Sequence, residues 1–376
     1  MPTISIRGNE MPASPIRKLA PLADAAKQRG VHVFHLNIGQ PDLPTPQVAI
    51  DAIRNIDRKV LEYSPSAGYR SYREKLVGYY AKFNINLTAD DIIITSGGSE
   101  AVLFSFLSCL NPGDEIIVPE PAYANYMAFA ISAGAKIRTI ATTIEEGFSL
   151  PKVEKFEELI NERTKAILIC NPNNPTSSAI STADMKKLLT VCRSLGIFVM
   201  IDETYVEFAP DIDTISAVSL TTKFDNFMIL RGTSKFFCAP GLRLGYGICG
   251  NLAFLERMNS IKNPWTINTL AALAGEAMFM DTDYIQTTKD YIQSERTRCI
   301  DILSKRDNLK IYPAYANFIL VKLLDGTTSF EMFERCIKSG LMIRDCASFH
   351  GLDGEFIRFC IQKKEDNDRL LNLLTL

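Results

Sequence analysis

Seven short runs dense in aliphatic and β-branched residues punctuate the middle of the chain: Ile92–Thr95, Glu115–Pro119, Lys136–Ile140, Ala166–Cys170, Ile197–Asp202, Phe227–Arg231 and Arg243–Cys249. Such runs suit strands covered on both faces. Helical patterns, among them Ser99–Leu110, Tyr126–Ala133 and Ala183–Leu195, separate the first five. The alternation predicts an α/β fold, a mainly parallel seven-stranded sheet sandwiched by helices. Ligands of such sheets bind at the carboxyl ends of the strands. The last two runs lie too close together for a helix and two turns between them. Helical patterns follow at Leu252–Lys262 and Asn268–Met280. From Asp281 the pattern becomes helix, strand (Asn317–Lys322), helix (Ser329–Ser339), strands (Leu341–Arg344, Phe356–Cys360) and helix. That change predicts a large domain over residues 46–280 and a smaller α+β domain over 281–376. Residues 1–45 are proline-rich without a long periodic segment and are expected to pack on the small domain.

Charge and cysteine usage narrow the function classes. The 376 residues carry 41 basic and 43 acidic side chains, a net charge of -2. A nucleic-acid partner needs a basic excess to displace counterions, and a polybasic membrane surface needs one too; neither is expected. No apolar run reaches membrane-spanning length, and Met1–Glu10 lacks the apolar core of a signal peptide. Nine cysteines without a CxxC pair fit free thiols in a reducing, cytoplasmic compartment. Three histidines at unrelated spacings give no metal site.

Chemistry-bearing residues cluster just past the predicted strands. Ser96-Gly97-Gly98-Ser99-Glu100 opens a helix, where bare N–H groups make either an anion cradle or a plain turn. Asp202 ends a strand and is either the partner of a cationic ring nitrogen or a capping carboxylate. Asn171-Pro172-Asn173-Asn174-Pro175-Thr176 is a locked turn whose amides can also donate to a ligand. Lys235, in Arg231-Gly232-Thr233-Ser234-Lys235, is a Schiff-base nucleophile if desolvated and a surface lysine if not. Arg243, in Gly241-Leu242-Arg243-Leu244-Gly245, has the planar fork that grips phosphate. Arg358 lies in the apolar stretch Phe356-Ile357-Arg358-Phe359 and needs an anion if buried, from a substrate or from a structural aspartate.

Taken in order, these motifs resemble the fold type I pyridoxal-phosphate enzymes, specifically the class I/II aminotransferases. Further marks are Leu36-Asn37-Ile38-Gly39-Gln40-Pro41-Asp42, Tyr63 with Gly68, Pro121-Ala122-Tyr123 and Asp202-Glu203-Thr204-Tyr205. The resemblance spans essentially the whole chain. It implies a homodimer with shared sites and pyridoxal 5'-phosphate as cofactor. By the same resemblance Lys235 would carry the cofactor and move the proton, and Asp202 would pair with its ring nitrogen. Tyr205 and Asn174 would bond its ring oxygen, and Tyr123 would stack on it. Gly98, Ser99, Ser234 and Arg243 would hold its phosphate, with Tyr63 reaching the neighbouring subunit's phosphate. Gly39, Asn174 and Arg358 would bind the substrate carboxylate.

Two positions depart from the family pattern. Gly232 stands where a hydroxyl is usual, which leaves Thr233 or Ser234 to replace it. Ser177 stands where glycine often follows Asn-Pro-Thr. Residues 11–176 look like aspartate- and aromatic-type enzymes. Residues 231–249 and 341–358 look like histidinol-phosphate aminotransferase and threonine-phosphate decarboxylase, in which a second arginine helps bind a substrate phosphate. Arg344 is the candidate here, with a surface or structural salt-bridge arginine as the alternative. The expected activity is ping-pong amino transfer between an L-amino acid, or a phosphorylated amino compound, and a 2-oxo acid. The alternative is a decarboxylase of the threonine-phosphate type. A ligand-sensing module lacks room ahead of Asn37 for a DNA-binding domain, and a dehydrogenase would need a glycine fingerprint that is absent.

Overall fold

Three sheets organise the chain in a computed structural model that describes residues 3–13 and 15–375, with the backbone alone for residues 15–18. Met1, Pro2, Ser14 and Leu376, which the expected domain limits include, lie outside the described residues. The strands are β1 (Phe34–His35), β2 (Ile92–Thr95), β3 (Glu115–Glu120), β4 (Lys136–Ala141), β5 (Thr164–Cys170), β6 (Phe198–Asp202), β7 (Phe227–Gly232), β8 (Gly245–Ile248), β9 (Leu309–Ile311), β10 (Phe318–Leu323), β11 (Leu341–Met342), β12 (Arg344–Asp345) and β13 (Phe356–Cys360).

The seven-stranded sheet has the order β2-β8-β7-β6-β5-β3-β4. The β3–β4, β3–β5, β5–β6 and β6–β7 pairs are parallel, and only β8 runs against its neighbours. The short β7–β8 connection explains that reversal, because a parallel return needs a long crossover. Alternate residues feed two cores. Ile94, Ile117, Ile167, Val199 and Ile229 pack on one face; Ile93, Ile116, Leu168, Met200 and Met228 pack on the other. This two-sided burial is what made the inner runs apolar, whereas the edge strand β4 stays largely exposed.

A four-stranded antiparallel sheet, β12-β13-β10-β9, and the parallel pair β1–β11 complete the fold. The stretch expected as one strand at 341–344 is divided here. Leu341–Met342 pairs with β1, while Arg344 crosses to pair with β13. The proline-rich start also holds a helix, Pro15–Gln28, that the expectation of no periodic segment missed. Pro15 opens it, where no N–H is needed, and Leu19, Ala23 and Ala26 are buried at helical spacing. Pro21 inside the helix obscured that period. Among the described residues no helix is long and apolar enough to cross a membrane.

Candidate active site

The loops after β2, β3, β5, β6 and β7 converge on one rim. Because β8 runs backwards, its leading residue Arg243 reaches the same rim, two positions before Gly245, which pairs with Gly232. A cavity of about 250 Å³ opens there. Its lining includes eleven of the expected residues: Gly98, Ser99, Tyr123, Asn174, Asp202, Tyr205, Ser234, Lys235, Arg243, Arg344 and Arg358. Gly39 adjoins it through Tyr205, whose hydroxyl lies 2.9 Å from where a Gly39 Cβ would stand. Tyr63 is not brought in. It is 80% exposed and packs on Trp265, ring centroids 4.9 Å apart.

Each end of the cavity has its own electrostatics. At one end the Gly98–Cys109 helix starts. Gly97 has φ 85°, and a Cβ there would meet Arg243 Nη2 at 2.6 Å. A Cβ on Gly245 would lie 2.5 Å from the Gly97 carbonyl carbon. Bare backbone thus lets the helix start, β8 and the Arg243 fork share one small space, which suits an anion.

On the floor, Asp202 is 9% exposed. Its Oδ1 accepts from the Thr204 N–H at 3.0 Å and the Thr204 hydroxyl at 2.5 Å, and its Oδ2 accepts from the Tyr126 hydroxyl at 2.7 Å. All three donors are neutral. Beside it the Lys235 amine donates to the Ile38 carbonyl at 3.0 Å. Burial, helped by the Arg358 and Arg243 charges, lowers its pKa from 10.5 to about 8. Burial raises the Tyr205 and Tyr123 phenols, which therefore stay protonated donors.

At the far end stand Arg344 and Arg358, directly opposite each other on β12 and β13. They are 4% and 3% exposed. Arg358 donates to the Asn174 amide oxygen and to the Asn37 carbonyl, and its Nε is buried without a partner. Arg344 donates to the Ser348 hydroxyl at 2.8 Å. The adjacent Asp345 accepts instead from the Ser329 hydroxyl and the Ala347 N–H. Among the described residues no carboxylate pairs with either arginine. Phe318 supports the site from below: it lies 4.7 Å from the Arg358 guanidinium and edge-on to Tyr205.

The family model for aminotransferase class I and II matches residues 31–374. The chain belongs to that family. A putative threonine-phosphate decarboxylase of Caldanaerobacter subterraneus is 31% identical over 88% of this chain and 87% of its own. A histidinol-phosphate aminotransferase of Methanococcus maripaludis is 32% identical over 80% of this chain and 79% of its own. Aspartate aminotransferase from Thermotoga maritima shares the fold, with TM-score 0.89, 24% identity and 99% of each chain covered. Histidinol-phosphate aminotransferase from Clostridium acetobutylicum aligns with TM-score 0.81 and 26% identity, over 91% of this chain and 98% of that one. This aminotransferase is therefore a pyridoxal 5'-phosphate enzyme acting on small amino and 2-oxo acids.

The residues present fit that cofactor. A desolvated amine, a buried carboxylate without a cation and an arginine over a glycine cradle match its aldehyde, ring nitrogen and phosphate in turn. Of the two departures, the structure accounts for Ser177 but not for the glycine at 232. Thr233 spends its hydroxyl on the Leu244 carbonyl at 3.1 Å, so Ser234 is the hydroxyl that faces the cavity. A side chain at Gly232 would meet the Gly98 nitrogen only at 3.4 Å, so packing does not exclude one there. Ser177 adopts φ 63°, and its hydroxyl accepts from the Tyr315 and Ala316 N–H groups. Those two bonds offset what a non-glycine residue loses in that conformation.

Sequence reading missed Tyr126, Thr204, Asn37 and Phe318. Thr204 was findable, two residues past Asp202 and able to form an Asx-type turn. Tyr126 lies 76 positions from its partner, with no local signal.

Proposed function

We propose that this enzyme transfers an amino group from a donor bearing two anionic groups to a 2-oxo acid, by a ping-pong cycle. The observation that carries this reading is the Arg344–Arg358 pair. Like charges directly opposite on neighbouring strands repel, and burial makes each costly without an anion. A donor with a carboxylate and a phosphate would neutralise both. By their names, the decarboxylase relative acts on a compound bearing both groups, and the histidinol-phosphate relatives act on a phosphate without a carboxylate; the phosphate is what these relatives share.

In this reading Lys235 would carry the cofactor, and its released amine would take the proton from the donor's Cα and deliver it to the cofactor rather than back to that carbon. Bound pyridoxal phosphate supplies an electron sink for bond breaking at that carbon. Asp202 pairs with the ring nitrogen, and Tyr205 and Asn174 bond the ring oxygen. Tyr123 covers a ring face. Gly98, Ser99, Ser234 and Arg243 hold the phosphate. Arg358, Asn174 and the Gly39 backbone orient the donor carboxylate, which decides which Cα bond breaks. Arg344 takes the second anion.

Supporting a homodimer, exposed Tyr63 and Trp265 join exposed Val60 and Leu61 outside the cavity; Tyr63 then completes the phosphate site of the other subunit. The nine free cysteines support a reducing, cytoplasmic setting. We also read two domains, 46–280 and 281–376, with most of residues 1–45 on the smaller, although the Ile6–Glu10 helix instead touches the Asn125–Ala133 helix of the larger, Arg7 donating to the Ser132 carbonyl. The β1–β11 pairing and the contact of the Pro15–Gln28 helix with the Ser329–Lys338 helix support this division.

The test is a half-reaction screen that follows cofactor absorbance with plain and phosphorylated amino donors. Phosphorylated donors are expected to react most efficiently, and Arg344→Gln to remove that preference while plain donors change little. Equal efficiency across the panel overturns the two-anion reading. A decarboxylase is the second reading, favoured by the Caldanaerobacter relative. It predicts carbon dioxide release without a 2-oxo acid acceptor.

A further inference from the structure

A second chamber, of about 230 Å³, lies beside the Lys235 cavity. The two share Tyr123, Ala124, Asn125, Tyr126 and Phe349 as walls, so they are neighbouring rooms with a common partition. Most of the second chamber is apolar, with Pro12, Ala13, Val118, Ala122, Met127 and Ile137 in its lining. No lysine or arginine is among its described lining residues, so it offers no seat for an anion.

The partition is built from a specific stretch. Phe349 is 9% exposed, and its ring centroid lies 5.1 Å from the Arg344 guanidinium carbon. The preceding Ser348 accepts from Arg344 at 2.8 Å, and Ser348, Phe349 and His350 all face the second chamber. The loop ends in Gly351 and Gly354, with φ 80° and 122°. Phe349 thus stands where a donor held at Arg358 would pass from the reacting chamber toward apolar space.

We propose that the second chamber receives the apolar or aromatic side chain of the amino donor, and that Phe349 sets how far that side chain reaches. The proposal rests on the amino-transfer reading above. It divides recognition into three: Arg358 for the carboxylate, Arg344 for an anion at the neck, and the chamber for what lies beyond. Phe349 is a specificity-determining residue here, not a catalytic one.

The test uses the pyridoxal-phosphate-loaded protein and two variants that alter the chamber from opposite sides. Phe349→Ala opens the partition; Met127→Trp fills the far wall. Dissociation constants of acetate and 3-phenylpropionate, read from the absorbance of the bound cofactor, give a binding ratio independent of turnover. Half-reaction efficiencies with phenylalanine and alanine give a kinetic ratio. Each pair shares one carboxylate, so changes transmitted through Arg344 cancel.

Phe349→Ala is expected to raise both long-to-short ratios about tenfold, the scale of one or two methylenes in an apolar pocket. Met127→Trp is expected to lower them. Should the alanine variant fail to fold, Phe349→Leu is expected to give a smaller rise in the same direction. Ratios within about twofold of wild type in both variants, with amino transfer intact, overturn the chamber assignment alone. A wild-type protein that takes up no pyridoxal phosphate and reacts with no donor overturns the underlying reading, and this one with it.

Discussion

Two of the buried arginine sites have opposite surroundings. Arg231 is 1% exposed. It donates to Glu203 at 2.6 Å, to Glu207 at 2.9 Å and to Ser216 at 3.0 Å, and lies over the Tyr80 ring at 5.3 Å. Arg344 and Arg358 are as deeply buried, yet their hydrogen-bond partners are neutral. A buried charge matched by carboxylates within the chain holds the fold together. A buried charge left without one and facing a cavity marks where an anion is to arrive; Arg296, as deeply buried but away from the cavity, is instead held by the Phe208 and Ala316 carbonyls. Asp202 is the mirror case, a buried carboxylate held by neutral donors beside a cavity. Carboxylate partners and cavity lining, taken together, separate structural from binding arginines without reference to relatives.

Substitution breaks the comparison most strongly at Arg231. Arg231→Met strands Glu203 and Glu207 without their cation. The expected loss is about 3–5 kcal/mol of folding stability, measured by denaturant unfolding. The same change at Arg358 strands no carboxylate, so unfolding is expected to stay near wild type. Its effect appears in kcat/KM, which is expected to fall about a hundredfold or more, since a buried charged contact to substrate is worth about 2–5 kcal/mol. Equal destabilisation by the two substitutions would show that the arginines play one structural role.

How much of this contrast is legible in the sequence follows from how local each feature is. Most of the large-sheet strands showed because both faces of each are buried, leaving apolar runs; the edge strand Lys136–Ala141 is largely exposed and showed only through its aliphatic residues. Lys235, Asp202, Asn174 and Arg243 showed because each sits within a few residues of a strand end. Arg231 gave no sign of its role, since Glu203 and Glu207 lie 28 and 24 positions away. The facing of Arg344 and Arg358 depends on strand register, which one chain's pattern does not specify when the strand at 341–345 is split. The Phe349 partition is similarly a product of loops meeting. The Pro15–Gln28 helix was hidden by prolines that the helix itself tolerates.

Lys235 extends the contrast to a titrating group. Its folded pKa of about 8 lies below the ordinary 10.5, chiefly through burial. In cofactor-free protein the unfolded state therefore binds more protons between those values, and stability rises with pH across that window. Below about pH 8 the penalty of the buried ammonium is fully present. Lys235→Met is expected to remove this part of the pH dependence and to stabilise the cofactor-free protein at pH 7. Thermal unfolding of both proteins from pH 7 to 10.5 checks it, because tyrosines and cysteines titrate equally in the two. Parallel stability curves would place the amine in water rather than in the cavity.

The smallest effect is expected at Tyr126, and it sharpens the comparison most finely. Asp202 has two donors from Thr204 on one oxygen and one from Tyr126 on the other. Tyr126→Phe removes only the second, and Thr204 keeps the carboxylate in place. The lost bond is a neutral donor to a charged acceptor, worth about 1.5 kcal/mol, or roughly tenfold. If Asp202 serves as the anionic partner of a ring nitrogen, a freed oxygen disfavours the anion. Cofactor affinity is then expected to drop by that factor, while unfolding of the cofactor-free protein shifts less. If Asp202 were only a turn carboxylate, cofactor affinity would hold, because the Thr204 bonds that close the turn are untouched by the substitution. Cofactor titration and denaturant unfolding of the one variant thus decide whether the neutral-donor environment of Asp202 is a binding feature, like the neutral surroundings of Arg358, or only a local structural one.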